Sequence, residues 1–331
     1  MIERYLQSID QFILASYLRM FNDSKGTLGL LFHAVFWDQG EIESQEILPQ
    51  QQLTFPDYRK IFERLLEQRY VFLSYDDLRN ELDPAQKYAY VTFDDGYFNN
   101  TRLLPLIEEL GIPIHIFVCT RNILEGRKFW WDVVYSYRKQ DGISDASISQ
   151  ELECLKRYKS AEIVLLLEQE FGPSAFHPRS DLDRPLSIPE LSDLAAHELV
   201  TIGNHTHGHE IVTNLSISEF QKDVVLCSKI ISEKTNTDSS SFAFPNGNYS
   251  DSYLRALEEL GFDAIFSCEA RRTVLPQDGS QPRRLLMARH TISARTDLDW
   301  QIQMVRAGAS PYFWGRKLYG QLAQGIFRRR I

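Results

Sequence analysis

"YAYVTFDDGYFNNTRLLPLIEELGIPIHIFVC", residues 88–119, is the stretch from which the fold can be read. "YAYVTF" is rich in aromatic and β-branched residues and predicts a strand. "NTRLLPLIEELG" predicts a helix ending at Gly111, and "IPIHIFVC" predicts the next strand. Between strand and helix sit two adjacent carboxylates, Asp94 and Asp95, followed by Gly96. A continuing strand would send these neighbours to opposite faces. Both can serve one site only where the strand ends, and Gly96 marks that end. Two anions side by side also call for a positive partner, which the rest of the chain has to supply.

The same rhythm extends in both directions. Residues 3–21 carry Tyr5, Leu6, Ile9, Phe12, Ile13, Leu14 and Tyr17 at helical spacing, an amphipathic helix. "TLGLLFHAVF" (27–36) predicts a buried strand and "TFPDYRKIFERLLEQ" (54–68) a helix capped by Thr54. "YVFLS" follows as a strand and "YDDLRNEL" as a helix. Further along, "LSIPELSDLAAHELVTIGNH", "SISEFQKDVVLCSKIISEKT", "SSFAF", "SDSYLRALEELG" and "FDAIFSC" repeat the alternation. Strand alternating with helix indicates an α/β fold with a mainly parallel, barrel-like sheet.

From about 121 to 186 the rhythm stops. There "RKFWWDVVYSYRKQ" and "ISQELECLKRYKSAEIVLLLEQEFG" predict two helical stretches with no strand between them, a helical insertion. The expected organisation is an N-terminal helix over 1–26, a barrel over 27–309 carrying the insertion, and a tail over 310–331.

The chain has 331 residues, 43 % apolar and 24 % charged, ample for a sizeable core. Its net charge of −9 argues against general nucleic-acid binding, which needs a basic footprint. Cys119, Cys154, Cys227 and Cys268 lack C-x-x-C spacing and read as reduced thiols, not a metal cluster or disulfide framework. The first 21 residues have no continuous apolar segment of the secretory type. No stretch approaches the roughly 18 apolar residues of a spanning helix. A cytoplasmic setting is therefore expected. The tail, "SPYFWGRKLYGQLAQGIFRRRI", interleaves aromatics with Arg316, Lys317, Arg328, Arg329 and Arg330 and holds no acidic residue. It reads either as a solvated terminus or as a peripheral contact with the anionic inner membrane face.

A positive partner for the aspartates follows from "IGNHTHGHE" (202–210), where His205 and His209 lie four apart. On a helical turn these positions share a face, and two imidazoles so placed chelate a zinc-like ion. His207 then points away. One carboxylate of the 94–95 pair completes a three-ligand set, which leaves positions open to water or substrate as catalytic metals require. The other aspartate is free to act as a base.

"TFDDGY" followed about 110 residues later by "HTHGH" resembles the polysaccharide deacetylase (NodB-homology) family of carbohydrate esterases. "LLFHAVF", "LPLIEELGIPIHIFV", "LVTIGNHTHGHEIVTNLS" and "FAFPNGNYSDSYLRALEELGFDAIFS" resemble family blocks in the family's order, over roughly 27–295 apart from the insertion. The resemblance implies a distorted (β/α) barrel acting on an acetylated amino sugar within a glycan or a lipid-linked precursor. It implies Asp94 as catalytic base, and Asp95, His205 and His209 as ligands of a divalent metal, zinc first, with cobalt or nickel as alternatives. It also implies an oxyanion donor in the backbone N–H of Asn246, after Pro245 in "FAFPNG".

This third motif departs from the common Arg-x-Pro-Tyr pattern, with Ala243 at the arginine position and Asn246 at the tyrosine position. A branch of the family with "FAYPxG" shares the change and takes the tethering arginine from a later strand. Arg289 is the first candidate here and Arg284 the second. The general acid is His33 of "LFHAVF", as in a permuted branch resembling deacetylases of biofilm polysaccharides, or else His290. Trp130 and Trp131 of "KFWWDVV" are candidates for an aromatic wall under a pyranose ring, or for packing the insertion onto the barrel. Tyr97 and Pro245, next to the motifs, are further substrate-side candidates.

Three functions fit these residues: an N-deacetylase, an O-acetyl esterase, and a carbohydrate-binding protein without activity. A two-carboxylate glycosidase fits poorly, because its carboxyls stand about 5–9.5 Å apart across the scissile bond.

Overall fold

The computed structural model describes residues 2–274 and 285–308. Helix α1 (Ile2–Phe21) precedes β1 (Leu28–Phe32), and α2 (Gln39–Glu43) and α3 (Phe55–Glu67) lead to β2 (Tyr70–Phe72) and β3 (Lys87–Phe93). A 3₁₀ turn and α4 (Leu104–Leu110) connect to β4 (Ile114–Val118). Then come α5 (Thr120–Glu125), α6 (Trp130–Gln140), α7 (Asp145–Leu155), α8 (Ser160–Phe171) and α9 (Ile188–Ala195) before β5 (Val200–Asn204). The chain continues through α10 (Ile217–Thr235), β6 (Ser241–Ala243), α11 (Asp251–Glu259), β7 (Ala264–Phe266), β8 (Leu285–Met287), β9 (His290–Thr291) and α12 (Leu298–Ala307).

All strand pairs are parallel, in the order β8-β7-β6-β5-β4-β3-β1-β9, with β2 added beside the first half of β3. Only Ala288 and Arg289 separate β8 from β9, yet β8 pairs with β7 while β9 pairs with β1. Residues 285–291 thus join the two edges of the sheet and curl it into a distorted (β/α) barrel.

The strands are nearly continuous apolar runs because both faces are covered. Leu28, Leu30, Phe32, Val91, Phe93, Ile114 and Ile116 face the helices in the main core. Tyr90, Phe117, Phe266 and Met287 fill the lumen. A Cβ on Gly29 would stand 2.3 Å from the Tyr90 hydroxyl and the Ala288 carbonyl. Only glycine there leaves room for the hydrogen bond that Tyr90 donates to Ala288 across the barrel floor. Helix α3 starts from a capping box between Thr54 and Asp57 and buries Tyr58, Ile61, Phe62 and Leu65, one face at helical spacing.

Two expected helices differ in the structure. "YDDLRNEL" forms only a 3₁₀ turn, Asp77–Arg79. The Asp77 carboxylate accepts both the N–H and the hydroxyl of Ser74, a local alternative to helical bonding. The second stretch of the insertion breaks into α7 and α8 between Lys156 and Lys159. The Asn214 side chain donates to the carbonyls of Lys156 and Tyr158, and Glu210 accepts the Ser160 N–H. Tertiary hydrogen bonds hold the break open, which periodicity cannot register.

The insertion has its own core around Phe129, Trp131, Val134, Ile148, Leu152 and Phe176. A fully buried ion pair, Lys128 to Asp183 at 3.0 Å, ties its two ends together.

Candidate active site

Along β3 the inward row is Tyr90, Thr92 and Asp94, and along β1 it is Gly29, Leu31 and His33. Phe32 pairs with Phe93, so His33 and Asp94 leave their strands side by side at the C-terminal mouth of the barrel. Asp95 then takes φ +81° and Gly96 φ +85°. This left-handed turn brings the second carboxylate back toward the first.

Asp94 and Asp95 are 2 % and 1 % exposed. Arg289, wholly buried at the break between β8 and β9, grips Asp94 with both ends of its fork, at 2.7 and 2.9 Å. The guanidinium is held in turn by Thr92 Oγ1, the Ser267 carbonyl and the faces of Phe117 and Phe266. Burial pushes the Asp94 carboxyl up, but the charge of Arg289 outweighs it and keeps the group below its ordinary value.

His205 follows the last residue of β5. The segment to His209 is a loop rather than the expected helical turn, with Thr206 at φ +65° and His209 at φ +53°. These left-handed residues, not a helical face, swing the two imidazoles together. His205 Nδ1 is fixed by the Ala243 carbonyl at 2.8 Å, which aims Nε2 at Asp95. His205 Nε2 and His209 Nε2 stand 3.5 and 3.2 Å from Asp95 Oδ1. Burial would raise the Asp95 carboxyl, yet the two imidazoles hold it far below the usual carboxylate range.

Neither Asp95 oxygen accepts a hydrogen bond. A sealed carboxylate whose neighbours are imidazole nitrogens fits a divalent cation, and Asp95, His205 and His209 are the residues able to hold one. Cys119 also falls within 4.8 Å of the ligand atoms of Asp95 and His205. Its thiol, however, points to the His205 carbonyl, and burial raises it well above its ordinary value. His209 is the better third ligand.

A cleft of ≈ 300 Å³ opens above these groups, lined by His33, Gln50, Asp95, Trp131, His209 and Asn246 among others. His33 Nδ1 meets Gln51 Oε1 at 3.1 Å, while Gln51 Nε2 donates to the carbonyls of Leu31 and Ile292. With its amide nitrogen so committed, Gln51 presents oxygen to the imidazole. Nδ1 therefore carries the proton and Nε2 is left for the cleft. Asn246 reaches the cleft from a turn begun by Pro245, with φ +57°.

Residues 81–265, more than half of the chain, match the family model described as polysaccharide deacetylase. The chain belongs to the polysaccharide deacetylase family. No curated protein matches it. Among solved structures it is similar to IcaB from Ammonifex degensii, with 18 % identity, a TM-score of 0.56 and coverage of 87 % of this chain and 99 % of that one. It is also similar to the Streptococcus pyogenes deacetylase PplD in complex with acetate, at 14 % identity and TM-score 0.55, covering 85 % of this chain and 98 % of that one. A de-N-acetylase from Aggregatibacter actinomycetemcomitans aligns at 14 % identity and TM-score 0.56, over 83 % and 98 % of the two chains.

Not every expected site residue of this family member faces the cleft. Trp130 and Trp131 line it but are only 6 % exposed. The Trp131 ring lies 4.4 Å from that of His209, stacks on Phe129 and donates its N–H to Tyr97, so it braces a metal-ligand candidate. Tyr97, expected on the substrate side, is instead 1 % exposed, with its hydroxyl donating to Asp132 at 2.6 Å. Burial pushes the Asp132 carboxyl up to about 7. Pro245 is buried and shapes its turn without facing the cleft.

His290 pairs with Leu30 on the outward row, away from Asp94, and burial lowers it to about 4. Arg284 and the tail over 310–331 lie outside the described residues. Sequence reasoning missed Gln51 and Asp132. The middle one of three glutamines in "LPQQQL" carries no signal of its own, and the aspartate of "FWWD" is overshadowed by the tryptophans beside it.

Proposed function

We propose that the chain removes the acetyl group from the nitrogen of an amino sugar in a poly- or oligosaccharide or glycan precursor, in a divalent-metal-dependent hydrolysis. The observation that carries this reading is the pairing of a carboxylate gripped by a guanidinium, Asp94 on Arg289, with a second buried carboxylate, Asp95, that accepts no hydrogen bond and has two imidazole nitrogens beside it. Asp95, His205 and His209 would hold the ion, most readily zinc, which when bound acidifies water and polarises a carbonyl.

Asp94 accepts the proton of the attacking water. Asn246 lines the cleft, and its backbone N–H would serve as donor to the developing oxyanion. His33, once protonated, would give its Nε2 proton to the departing amine, a role supported by the Gln51 contact at Nδ1. An amide must protonate its nitrogen to release it, whereas an ester's oxygen departs far more readily. A histidine held at the cleft by Gln51 therefore favours amide over ester substrates. Ala243 in place of the usual arginine is the one feature that favours a binding protein without activity, and Arg289 brings a cation to Asp94 from the link between β8 and β9.

Acetate release from N-acetylated amino-sugar oligomers by metal-stripped protein, with and without added zinc or cobalt, tests the proposal. Release should require metal and fall at least about 100-fold in Asp94→Asn. Metal-independent release, or an Asp94→Asn variant as active as the parent, would refute it.

A further inference from the structure

Helix α1 buries one face and leaves another apolar face uncovered. Leu14 and Leu18 pack against Trp300 and Ala307 of α12, and Asp10 accepts the Trp300 indole N–H at 2.7 Å. Away from α12, Ile9, Phe12, Ile13, Tyr17, Met20 and Phe21 stand in solvent, with Phe12, Met20 and Phe21 at 75, 73 and 62 % exposure. The Tyr17 and Phe21 rings pack at 5.1 Å into a ridge. Among the described side chains of this outer face Arg19 is charged, and none is a carboxylate. Six large apolar side chains on one exposed helix form a patch of the kind that marks an interaction surface.

The charge beside the patch says what it meets. At the C-terminal end of α1 a cavity of ≈ 530 Å³ is lined by Lys25, Lys87 and Arg272, with Asp23 as its one carboxylate. Asp23 already faces three cations, Lys87, Arg272 and Arg306. This corner is positive in a chain whose net charge is −9. Ser24 bonds the Ala307 carbonyl, so the sequence after α12 sets out from the same corner. The sequence that follows, outside the described residues, holds Arg316, Lys317, Arg328, Arg329, Arg330 and several aromatics, and no acid.

We propose that α1 is a docking helix for an anionic phospholipid bilayer. Its apolar face enters the acyl boundary, and the Lys25–Lys87–Arg272 cavity faces the headgroup phosphates. Asp10 meets Trp300 near the start of α12 and Ser24, just after α1, meets Ala307 at its end, so α1 runs alongside α12. The docking itself does not depend on the proposed reaction.

Co-sedimentation of the full chain with phosphatidylcholine vesicles, with and without phosphatidylglycerol, tests the proposal. The protein should partition onto the phosphatidylglycerol vesicles and come off at high salt. The combined variant Phe12→Ser, Met20→Ser and Phe21→Ser should lower partitioning at least about tenfold, and Lys25→Glu should lower it further. These positions are exposed, so an unchanged melting temperature will show that the variants fold. Deleting residues 311–331 should weaken binding while sparing hydrolysis of a soluble acetylated sugar. Equal partitioning of the triple variant and the parent would overturn the proposal. So would a parent that ignores anionic vesicles but forms a dimer which the triple variant dissolves, an outcome that assigns the face to a second copy of the chain.

Discussion

A carboxylate sealed from water is ordinarily driven toward its neutral form, and Asp94 escapes this through one guanidinium. The sign of the pH effect follows. With Arg289 present the carboxyl lies below its ordinary value, so the base is ionised above about pH 4. Arg289→Lys keeps a charge but loses the two-pronged contact. The desolvation that Arg289 offsets would then reassert itself, and the acid limb of the pH–rate profile should move to higher pH. An acid limb that stays in place would show that Arg289 does not tune the base. Gln51→Leu removes the acceptor that orients His33. We expect kcat to fall roughly tenfold to a hundredfold, with the metal content measured by elemental analysis unchanged. A loss of metal instead would make Gln51 a structural support of the whole site.

At the scale of elements, the barrel is closed by polar contacts as well as by its core. Asp23, in the link between α1 and β1, accepts from Arg306 of α12, Lys87 of β3 and Tyr70 of β2. Burial raises its carboxyl, but these donors outweigh it and lower it to about 2. A depressed carboxyl contributes stability above its unfolded value of about 4 and loses it as pH falls toward 2. The shift sets an upper bound of about 2 kcal/mol, which solvent screening at this near-surface site reduces to about 1 kcal/mol. Asp23→Asn should lose that amount at neutral pH in denaturant titrations, and should narrow the stability gap between pH 7 and pH 3. The parallel prediction for the insertion is that Lys128→Met strands the buried Asp183 and destabilises by about 3 kcal/mol. A midpoint unchanged in either variant would remove that pair from the stabilising contacts.

For the whole molecule, the proposed Asp95, His205 and His209 ligand set predicts that folding is sensitive to metal. Arg289 pairs with Asp94, whereas Asp95 has, among the described residues, only the imidazoles of His205 and His209 as side-chain ion-pair partners, so a divalent ion held there would neutralise the second buried carboxylate. Zinc at a hundredfold excess over its Kd should stabilise the fold by about 2.7 kcal/mol, a rise of a few degrees in Tm, reversed by chelation. Asp95→Asn should abolish the rise, whereas Asp94→Asn should retain most of it. Equal responses in the two variants would mean that the assigned ligand and base are not distinct.

Residue pattern alone specifies the parallel α/β architecture, the run of helices between β4 and β5, and the two motifs from which the candidate site is built. These are legible because strand and helix periods, caps and Gly96 are local properties of a few neighbouring residues. Tertiary structure decided the rest. It brought Arg289 to Asp94 across 195 positions of sequence, because residues 285–291 close the sheet. It turned His33 into the cleft and His290 away from it, through the register of β1 with its neighbours. It withdrew Tyr97 and much of Trp131 from the substrate into a brace behind His209, and it replaced the expected helical turn at His205 by a left-handed loop. A side chain's residue type is written in the chain, but what it faces depends on which strands lie side by side, and that is settled only when the sheet curls shut.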